Sequence, residues 1–427
     1  MTFAILTLGC RVNQADSLGL ETDLGALGGT VAAPDQADVV VVNSCSVTAG
    51  ADQGTRQAVR RVHRRNPAAK IVVTGCYASR SAEEIAMLPG VVRVVGNAGK
   101  EQLASLVAAL SPRTTAERFG CGDGACGAPV EPGIAGRTAW TLGVQTGCDE
   151  PCAYCIIPTT RGQPRSRPVD AVVAEAERVA SWGFREIAIT GVHLGAWGRD
   201  LDPPRRLVAL LDGLAARDLP VRYRLSSLEP MDCTHQVIDR LAADARFAPH
   251  LHLPMQHASS RVLTAMRRPY SGDWYAQLVE RVRARLPDAS IGTDVIVGFP
   301  GEHDEDFEKT RTYLAGAPLS YVHVFPYSDR PGTEATRLGG KVHGATIRAR
   351  ADELRTVAKT LAERFQRSQV GRVRPGLTLE DGTLVVTDNY LKVRVPAGVA
   401  RNVFVNVRID AATPGGLAGT VAAPPGS

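Results

Sequence analysis

Long apolar runs are missing from this sequence of 427 residues, and no stretch approaches the length of a transmembrane span. The apolar N-terminal run, residues 3–8, has no positive charge before it and is followed at once by Gly9-Cys10-Arg11. We therefore interpret it as a buried strand and not as a signal segment. A net charge of +5 is small, so it permits a nucleic-acid partner without requiring one. We expect a cytoplasmic protein with no membrane partner.

Cysteine is also scarce, because only nine residues, an odd number, are spread along the chain. This distribution argues against a disulfide scaffold and favours metal ligation in a reducing compartment. The sequence has no Cys or His between residues 156 and 192. It therefore lacks the second Cys pair, or the Cys/His set, that a structural zinc site would need beside the cysteine-rich run that comes just before.

That run concentrates three cysteines in eight residues with the spacing C-x3-C-x2-C: Cys148, Cys152 and Cys155. Three thiolates can hold three irons of a cubane [4Fe–4S] cluster and leave the fourth iron without a protein ligand. An electron-transfer cluster normally takes four cysteines, so three indicate that a further molecule binds the open iron. The alternative, three buried or redox-inert cysteines, fits poorly beside the flanking Gly147 and Pro158.

The pattern of strands and helices predicts an α/β protein with several domains. Residues 1–110 alternate apolar strands with helices, which is typical of a doubly wound parallel sheet. Residues 111–137, rich in Gly and Pro and containing Cys121 and Cys126, are interpreted as a linker. Residues 138–367 hold six further strand–helix units, which suit a partial (β/α)6 barrel because a closed barrel needs eight. Residues 368–427 alternate short strands with turns, which predicts a small all-β domain.

A second set of cysteines follows three strands of the N-terminal domain: Cys10, Cys45 and Cys76. The carboxyl ends of parallel strands meet at one edge of a sheet, so these residues could lie together there. Each could instead be a small apolar residue at a strand end, a common role for cysteine. Three equivalent positions favour a second three-cysteine cluster. No role is assigned to Cys233 or to the two linker cysteines.

These motifs resemble the radical S-adenosylmethionine (SAM) methylthiotransferase family over nearly the whole chain. The run from Gly147 to Gly162 is similar to its SAM signature, and the segments around the second cysteine set are similar to its N-terminal domain. The run Thr387-Asp-Asn-Tyr-Leu-Lys-Val393 resembles its RNA-binding TRAM domain. Four further runs resemble the tRNA subtype that acts on N6-threonylcarbamoyladenosine, and they begin at Gly191, Leu225, His252 and His323. His257-Ala-Ser-Ser260 stands where the family usually has Ser-Gly-Ser-Asp.

The resemblance implies transfer of a methylthio group to C2 of N6-threonylcarbamoyladenosine at position 37, beside the tRNA anticodon. It implies two [4Fe–4S] clusters, one SAM for hydrogen abstraction and a second SAM as methyl donor. The implied partners are the anticodon loop of tRNA, a reducing electron donor and a possible sulfur donor. The alternatives are a methylthiotransferase for isopentenyladenosine in tRNA or for an aspartate of a ribosomal protein. A non-catalytic iron–sulfur protein that carries electrons or binds RNA is a different class, and sets of three cysteines argue against it.

Candidate SAM contacts follow from the same resemblance and from strand ends: Arg161, Gly191, Gln256, Asp294, Gly298 and Glu302. Arg161 comes just after the cysteine-rich run, where it would meet a phosphate or the SAM carboxylate. Gly298 would let the backbone approach SAM. Glu302 could equally cap the helix that follows, since carboxylates favour helix N-termini. Gln256 could face the adenine or bond to a loop.

Candidate RNA contacts form two sets. The first occupies every fourth position of a predicted helix: Arg56, Arg60 and Arg64. The second combines an aromatic ring with cations in the C-terminal domain: Tyr390, Lys392 and Arg394. The first set would contact phosphates, which dominate RNA affinity, although a solvated helix face is the alternative. The second suits flexible single-stranded RNA such as an anticodon loop.

Overall fold

The computed structural model describes residues 1–110 and 138–422, so the predicted linker and its two cysteines lie outside the described residues. The chain divides into two compact units. The first contains the described residues of Met1–Glu131 together with Gln145–Arg165 and Ser328–Thr336. The second contains Ser166–Tyr327 and the described residues of Pro132–Val144 and Arg337–Ser427. Among the described helices, none combines the length and the apolar character that a membrane span requires.

The first unit is built on a parallel sheet with the strand order β2-β1-β3-β4-β5. The strands are β1 Thr2–Thr7, β2 Thr30–Val31, β3 Val39–Ser44, β4 Lys70–Gly75 and β5 Val91–Val95. The helices of its N-terminal part are α1 Arg11–Ala26, α2 Ala49–Arg65, α3 Cys76–Arg80, α4 Ala82–Ala86 and α5 Leu103–Ala109. The order confirms the doubly wound parallel domain.

Strand β3 shows why this sheet has helices on both faces. All six of its residues are buried, and its four consecutive valines point alternately to the two sides of the sheet. Val40 and Val42 belong to one apolar cluster, and Val39 and Val41 belong to another. A strand buried on both faces is a near-continuous apolar run, which is typical of parallel sheets.

The second unit contains two hydrogen-bonded groups of strands, in which the pairs β8–β9, β10–β11 and β11–β12 are parallel. The strand orders are β7-β6-β8-β9 and β10-β11-β12. Isolated parallel bridges join Tyr223 to Phe247 and Ser227 to His252, which continues the sheet from β9 to β10. The strands are β6 Ala139–Thr146, β7 Arg165–Ser166, β8 Glu186–Gly191, β9 Arg222–Leu225, β10 His250–His252, β11 Ser290–Val297 and β12 Tyr321–Pro326. The open barrel of six strand–helix units is confirmed.

The remaining helices connect these strands. They are α6 Ile157–Arg161, α7 Val169–Ser181, α8 Leu207–Ala215, α9 His235–Ala243, α10 Ser260–Ala265, α11 Gly272–Arg285, α12 Asp304–Gly316 and α13 Gly344–Ser368. Each long helix buries an apolar stripe; in α11 that stripe is Tyr275, Leu278, Val279 and Val282. Helix α6 belongs to the first unit and follows the cysteine-rich run directly.

The C-terminal residues form a closed all-β barrel with the order β13-β14-β15-β17-β16. Its strands are β13 Val373–Leu379, β14 Leu384–Thr387, β15 Lys392–Arg394, β16 Phe404–Thr413 and β17 Gly416–Val421. Alternate side chains fill its interior, including Val385, Val393, Val407, Ile409 and Leu417. The predicted small all-β domain is confirmed.

Candidate metal and cofactor sites

The dispersed trio, Cys10, Cys45 and Cys76, shares one environment at the carboxyl edge of the first unit's sheet. Cys10 is the N-cap of α1, Cys45 follows β3 and Cys76 opens α3. Gly9 has a φ of 96°, and a Cβ there would lie 2.6 Å from the Cβ of Cys45. Burial raises the pKa of Cys45, and the nearby Cys10 and Cys76 thiols raise it further. The three thiols are therefore close enough to influence one another.

Asparagine side chains tie the loops of the dispersed trio together. The Nδ2 of Asn13 donates to the carbonyl of Leu8 at 2.7 Å and to that of Ser44 at 3.0 Å. These carbonyls lie just before Cys10 and Cys45. The Nδ2 of Asn97 lies 3.7 Å from the Sγ of Cys76 and donates to the carbonyl of Thr160 at 2.8 Å. Donors aimed at ligand sulfurs are a means by which proteins tune iron–sulfur clusters.

Arg161 lies beside the dispersed trio. Its side chain is 3% exposed, and Nη2 donates to the Oδ1 of Asn13 at 2.5 Å and to the Oδ2 of Asp16 at 3.1 Å. Burial works against its charge, but Asp16, Cys76 and Cys10 outweigh that cost and raise the pKa of the guanidinium. The expected contact of Arg161 with a phosphate or the SAM carboxylate stays a prediction. Helix α6 turns the side chain toward the N-terminal sheet, and sequence position alone could not give that direction.

A second buried ion pair network begins one residue after Cys45. The Oδ1 of Asp52 accepts from the Oγ of Ser46 at 2.7 Å. Its Oδ2 accepts from Arg80 at 2.6 Å and from Arg330 at 3.1 Å. Arg330 also donates to the carbonyl of Ser46. One buried carboxylate thus joins two arginines to the loop that carries Cys45.

The local trio, Cys148, Cys152 and Cys155, lies in the loop between β6 and α6, and all three residues are half-buried. The amide of Cys148 donates to the carbonyl of Gly162 at 3.0 Å, and that of Cys155 donates to the carbonyl of Cys152 at 3.1 Å. The amide of Ala335 donates to the carbonyl of Ala153 at 2.8 Å. Backbone bonds therefore hold the loop and leave the thiols partly exposed.

The donor sets fit iron–sulfur clusters. None of the described cysteines forms a disulfide. Thiolates are the ligands that hold [4Fe–4S] clusters, and each trio supplies three. The local trio is accessible enough for a further ligand, whereas Cys45 and Cys76 of the dispersed trio are buried.

In the second unit, Asp294 on β11 lies between two histidines. Its Oδ1 is 3.0 Å from the Nε2 of His252 and 3.2 Å from the Nδ1 of His323. Burial alone would raise the pKa of Asp294, but these hydrogen bonds outweigh it and hold the pKa below its usual value. The bond to Asp294 likewise raises the pKa of His323. An ionised carboxylate is therefore maintained in the barrel.

The turn after β11 is organised by Glu302, whose side chain is fully buried. Its Oε2 accepts from the amide of Gly298 at 2.6 Å and that of Phe299 at 3.3 Å, and its Oε1 accepts from Arg350 at 2.7 Å. The expectation that Glu302 could cap the next helix is wrong. His303 is the N-cap of α12, and Asp306 completes the capping box. Both carboxylate oxygens of Glu302 accept hydrogen bonds from the turn and from Arg350 instead.

Two other candidates lie at strand ends. Gly191 is the last residue of β8. Gln256 bridges to Val295 through its backbone and has a φ of 70°, a conformation that costs energy for a residue with a side chain. The SAM contacts of Gly191, Gln256, Asp294, Gly298 and Glu302 stay predictions.

The RNA candidates divide by exposure. Arg60 and Arg64 are exposed, whereas Arg56 pairs with Glu84 at 3.0 Å and donates to the hydroxyl of Tyr77 at 2.5 Å. Lys392 and Arg394 are exposed on β15. The ring of Tyr390, 37% exposed, lies 4.3 Å from the Cζ of Arg224 and 4.9 Å from the ring of His250. Tyr390 therefore packs on the barrel strands with one part of its ring still exposed.

The structure adds residues that the sequence analysis missed: Asn13, Asp52, Asn97, Arg224 and Arg330. Each is buried and polar. The available signal was weak, because a single buried polar residue gives no periodic pattern. Asn13 alone lies in the segment around Cys10 that carried the family resemblance.

Two family models match the chain. The uncharacterized protein family UPF0004 covers residues 2–96, and the radical SAM superfamily covers residues 142–314. A solved structure of the radical SAM methyltransferase TsrM from Kitasatospora setae, with cobalamin and a [4Fe–4S] cluster bound, shares the fold with a TM-score of 0.57 at 15% identity. That match covers 78% of this chain and 73% of the other. The fold and the local trio thus define a radical SAM enzyme, a class that uses SAM and a [4Fe–4S] cluster.

Comparison with curated relatives identifies the family within the radical SAM class. The chain is 35% identical over 401 residues to threonylcarbamoyladenosine tRNA methylthiotransferase MtaB of Aquifex aeolicus, covering 92% of this chain and 96% of that protein. It is 35% identical over 407 residues to the Bacillus subtilis protein of the same name, covering 92% and 90%. Ribosomal protein uS12 methylthiotransferase RimO of Anaeromyxobacter sp. matches at 34% identity, covering 86% and 79%. The chain belongs to the radical SAM methylthiotransferase family.

Proposed function

We propose that this enzyme transfers a methylthio group to C2 of N6-threonylcarbamoyladenosine at position 37 of tRNA. The observation that carries the proposal is the presence of two separate three-cysteine sets in the first unit. A single set would suffice for SAM cleavage, so the second set requires another task. Supply of sulfur is a task that iron–sulfur chemistry can perform. The relatives named for this nucleoside support the choice of substrate.

The local trio would hold the cluster that binds SAM. Bound there, that cluster would supply the electron that starts radical chemistry at C2 of the adenine. The protein contributes the loop geometry around Cys148, Cys152 and Cys155, whose partial exposure leaves room for SAM. Within the second unit, the ionised Asp294 and the turn held by Glu302 are our candidate contacts for SAM. Exclusion of water around a radical is a general requirement of such sites.

The dispersed trio would hold a second [4Fe–4S] cluster, whose chemistry would be to provide the inserted sulfur or to carry sulfur from a donor. The methyl group would come from a second SAM. Residues of the chain determine the electrostatic environment of the dispersed trio. The guanidinium of Arg161 and the amide of Asn97 place positive charge and a hydrogen-bond donor at the sulfurs. Both stabilise the negative charge that thiolate-bound clusters carry.

The partners are the anticodon loop of tRNA, a reducing electron donor and a possible sulfur donor. Exposed cations on α2 and β15 would contact phosphates of the RNA: Arg60, Arg64, Lys392 and Arg394. The partly exposed ring of Tyr390 in the second unit offers a stacking surface for a base. The second candidate function is the same chemistry on an aspartate of a ribosomal protein, which the name of the RimO relative supports.

Mass spectrometry of nucleosides tests the proposal. The reconstituted protein is incubated anaerobically with SAM, a reductant and tRNA that carries both threonylcarbamoyl- and isopentenyl-modified adenosine. A methylthio group on the threonylcarbamoyl form alone is the expected result. Modification of the isopentenyl form would keep the chemistry and overturn the substrate. If neither form changes while 5′-deoxyadenosine accumulates, the ribosomal protein is the substrate to test next.

A further inference from the structure

Strand β9 in the second unit buries polar and apolar side chains on opposite faces. Arg222 and Arg224 alternate with Tyr223 and Leu225, and all four are buried. The ring of Tyr223 packs at 5.3 Å from that of Phe247 on the apolar side. Burying a polar face is costly unless its groups are bonded, so the partners of this face are informative.

The neighbouring strand β8 extends the polar face. Glu186 pairs in register with Arg222, and Ile189 pairs with Leu225. The amide of Ser226 donates to the carbonyl of Ile189 at 2.9 Å, which places Ser226 beside Thr190. Residues two apart on a strand share a face at about 6.7 Å, and adjacent strands lie about 4.8 Å apart. Thr190, Arg224 and Ser226 therefore occupy neighbouring positions on one face of the sheet, and we call these three residues the polar patch.

Three polar atoms of this patch have no hydrogen-bond partner among the described residues: the Oγ1 of Thr190, the Nη1 of Arg224 and the Oγ of Ser226. The residues are 0%, 4% and 8% exposed. Native proteins satisfy most buried polar groups, because an unmet one destabilises the fold. Three in one patch indicate a ligand that completes them.

The orientation of Arg224 is fixed by its other contacts. Its Nε and Nη2 donate to the Oε1 of Glu186 at 3.0 and 2.8 Å. The ring of Tyr390 covers the guanidinium at 4.3 Å. Glu186 and Tyr390 leave Nη1 as the free edge of a rigid cation. A planar guanidinium in this state is suited to a carboxylate, and the two hydroxyls are suited to a neighbouring hydroxyl or carbonyl.

Resting on the proposed function, we propose that Thr190, Arg224 and Ser226 form the subsite that binds the amino-acid substituent on N6 of the adenine. The threonylcarbamoyl group carries a carboxylate, a hydroxyl and a urea carbonyl, so it can satisfy all three unpaired groups. Nη1 of Arg224 binds the carboxylate, and the two hydroxyls bind the threonine hydroxyl. An isopentenyl group has no polar atom and would leave the patch unpaired. Sites built to hydrogen-bond a substrate group reject analogues that lack it strongly.

The test exploits the unpaired hydroxyls. Thr190→Val with Ser226→Ala removes them without adding volume, so the melting temperature and the iron content should stay at the wild-type values or rise slightly. The KM for threonylcarbamoyl-modified tRNA should rise about tenfold, because a hydrogen bond of about 1.4 kcal/mol is lost. Tyr223→Phe is the matched control, since its hydroxyl is also buried and finds no partner in the described part of the chain, but lies on the opposite face. That variant should keep the wild-type KM.

A comparison of two tRNA substrates distinguishes recognition of the hydroxyl from recognition of the carboxylate. With tRNA whose adenine carries glycine in place of threonine, the carboxylate remains and the hydroxyl is lost. The wild type should favour the threonine form, and the double variant should lose that preference. Arg224→Lys should raise the KM for both forms, since the carboxylate contact is common to them.

Some results would overturn the subsite. An unchanged KM in the double variant, or a melting temperature that falls below that of Tyr223→Phe, would assign the hydroxyls to the fold. Failure of the wild-type protein to modify the threonylcarbamoyl form would instead overturn the proposed function itself. The two failures are distinguishable because the wild type and the variants are assayed on the same tRNA.

Discussion

The two cysteine trios of the first unit differ in how the chain assembles them. The local trio lies within eight residues of one loop, and three backbone hydrogen bonds hold that loop. The dispersed trio comes from three strand ends, so it exists only when β1, β3 and β4 are paired. Its residues are also tied by side chains, namely those of Asn13, Asn97 and Arg161.

The difference teaches that one site depends on local conformation and the other on the complete sheet. Metal binding is linked to folding wherever the ligands come from separate elements. Loss of stability in the sheet should therefore empty the dispersed site before the local one. The burial of the thiols also differs between the trios. In the dispersed trio Cys45 and Cys76 are buried and Cys10 is exposed, whereas all three cysteines of the local trio are half-buried.

The largest expected effect comes from removing one ligand of each trio. Cys152→Ala should abolish 5′-deoxyadenosine formation and methylthio transfer together. Cys45→Ala should abolish methylthio transfer and leave 5′-deoxyadenosine formation measurable. Each variant should lose about four irons per chain, which iron analysis measures. Loss of 5′-deoxyadenosine in both variants would contradict the separation of roles.

The fold was predictable because its signals are periodic. The valine run of β3 and the alternation of strands with helices gave the parallel sheet, and the spacing of Cys148, Cys152 and Cys155 gave the local trio. Side-chain direction was not predictable. Arg161 follows the local trio in sequence, yet its guanidinium bonds to Asn13 and Asp16. Such contacts join residues 145 or more positions apart, so no local pattern encodes them.

The next effect tests whether the dispersed site depends on its buried carboxylate. Asp52→Ala leaves Arg80 and Arg330 without their shared partner, so the free energy of unfolding should fall by about 4 kcal/mol. Chemical denaturation measures that change, and iron analysis should show loss at the dispersed trio first. Asp35→Ala, a change at an exposed carboxylate, is the matched control and should stay within about 0.5 kcal/mol. Equal loss of iron from both trios would contradict the comparison.

Substitution of Arg161 should have a smaller effect, and it tests whether this buried arginine influences the dispersed site. Arg161→Met removes the charge partner of Asp16, but Lys100 still pairs with that carboxylate. The free energy of unfolding should therefore fall by about 3 kcal/mol, at the low end for a broken buried pair. The absorption spectrum of a protein that retains only the dispersed cluster, in the Cys152→Ala background, should change. Arg60→Met, an exposed arginine on α2, should change neither quantity. A spectrum unaffected by Arg161→Met would remove this arginine from the dispersed site.

The smallest expected effect concerns Cys233, a buried cysteine that belongs to neither trio. Its reactivity can be compared with that of the cysteines in the two trios. Burial raises the pKa of its thiol from 9.0 to about 12, so the folded protein keeps it protonated where the unfolded chain begins to ionise. The unfolded state then binds fewer protons, and this thiol's contribution to stability is present below pH 9.0 and is lost between pH 9.0 and about 12. At pH 8 the thiol should resist iodoacetamide in the folded protein and react after unfolding. Among the described cysteines, peptide mapping of the apoprotein should show alkylation of Cys10, Cys148, Cys152 and Cys155 first, because Cys10 is exposed and the other three are half-exposed. Early alkylation of Cys233 would mean that the barrel opens around this residue in the native state.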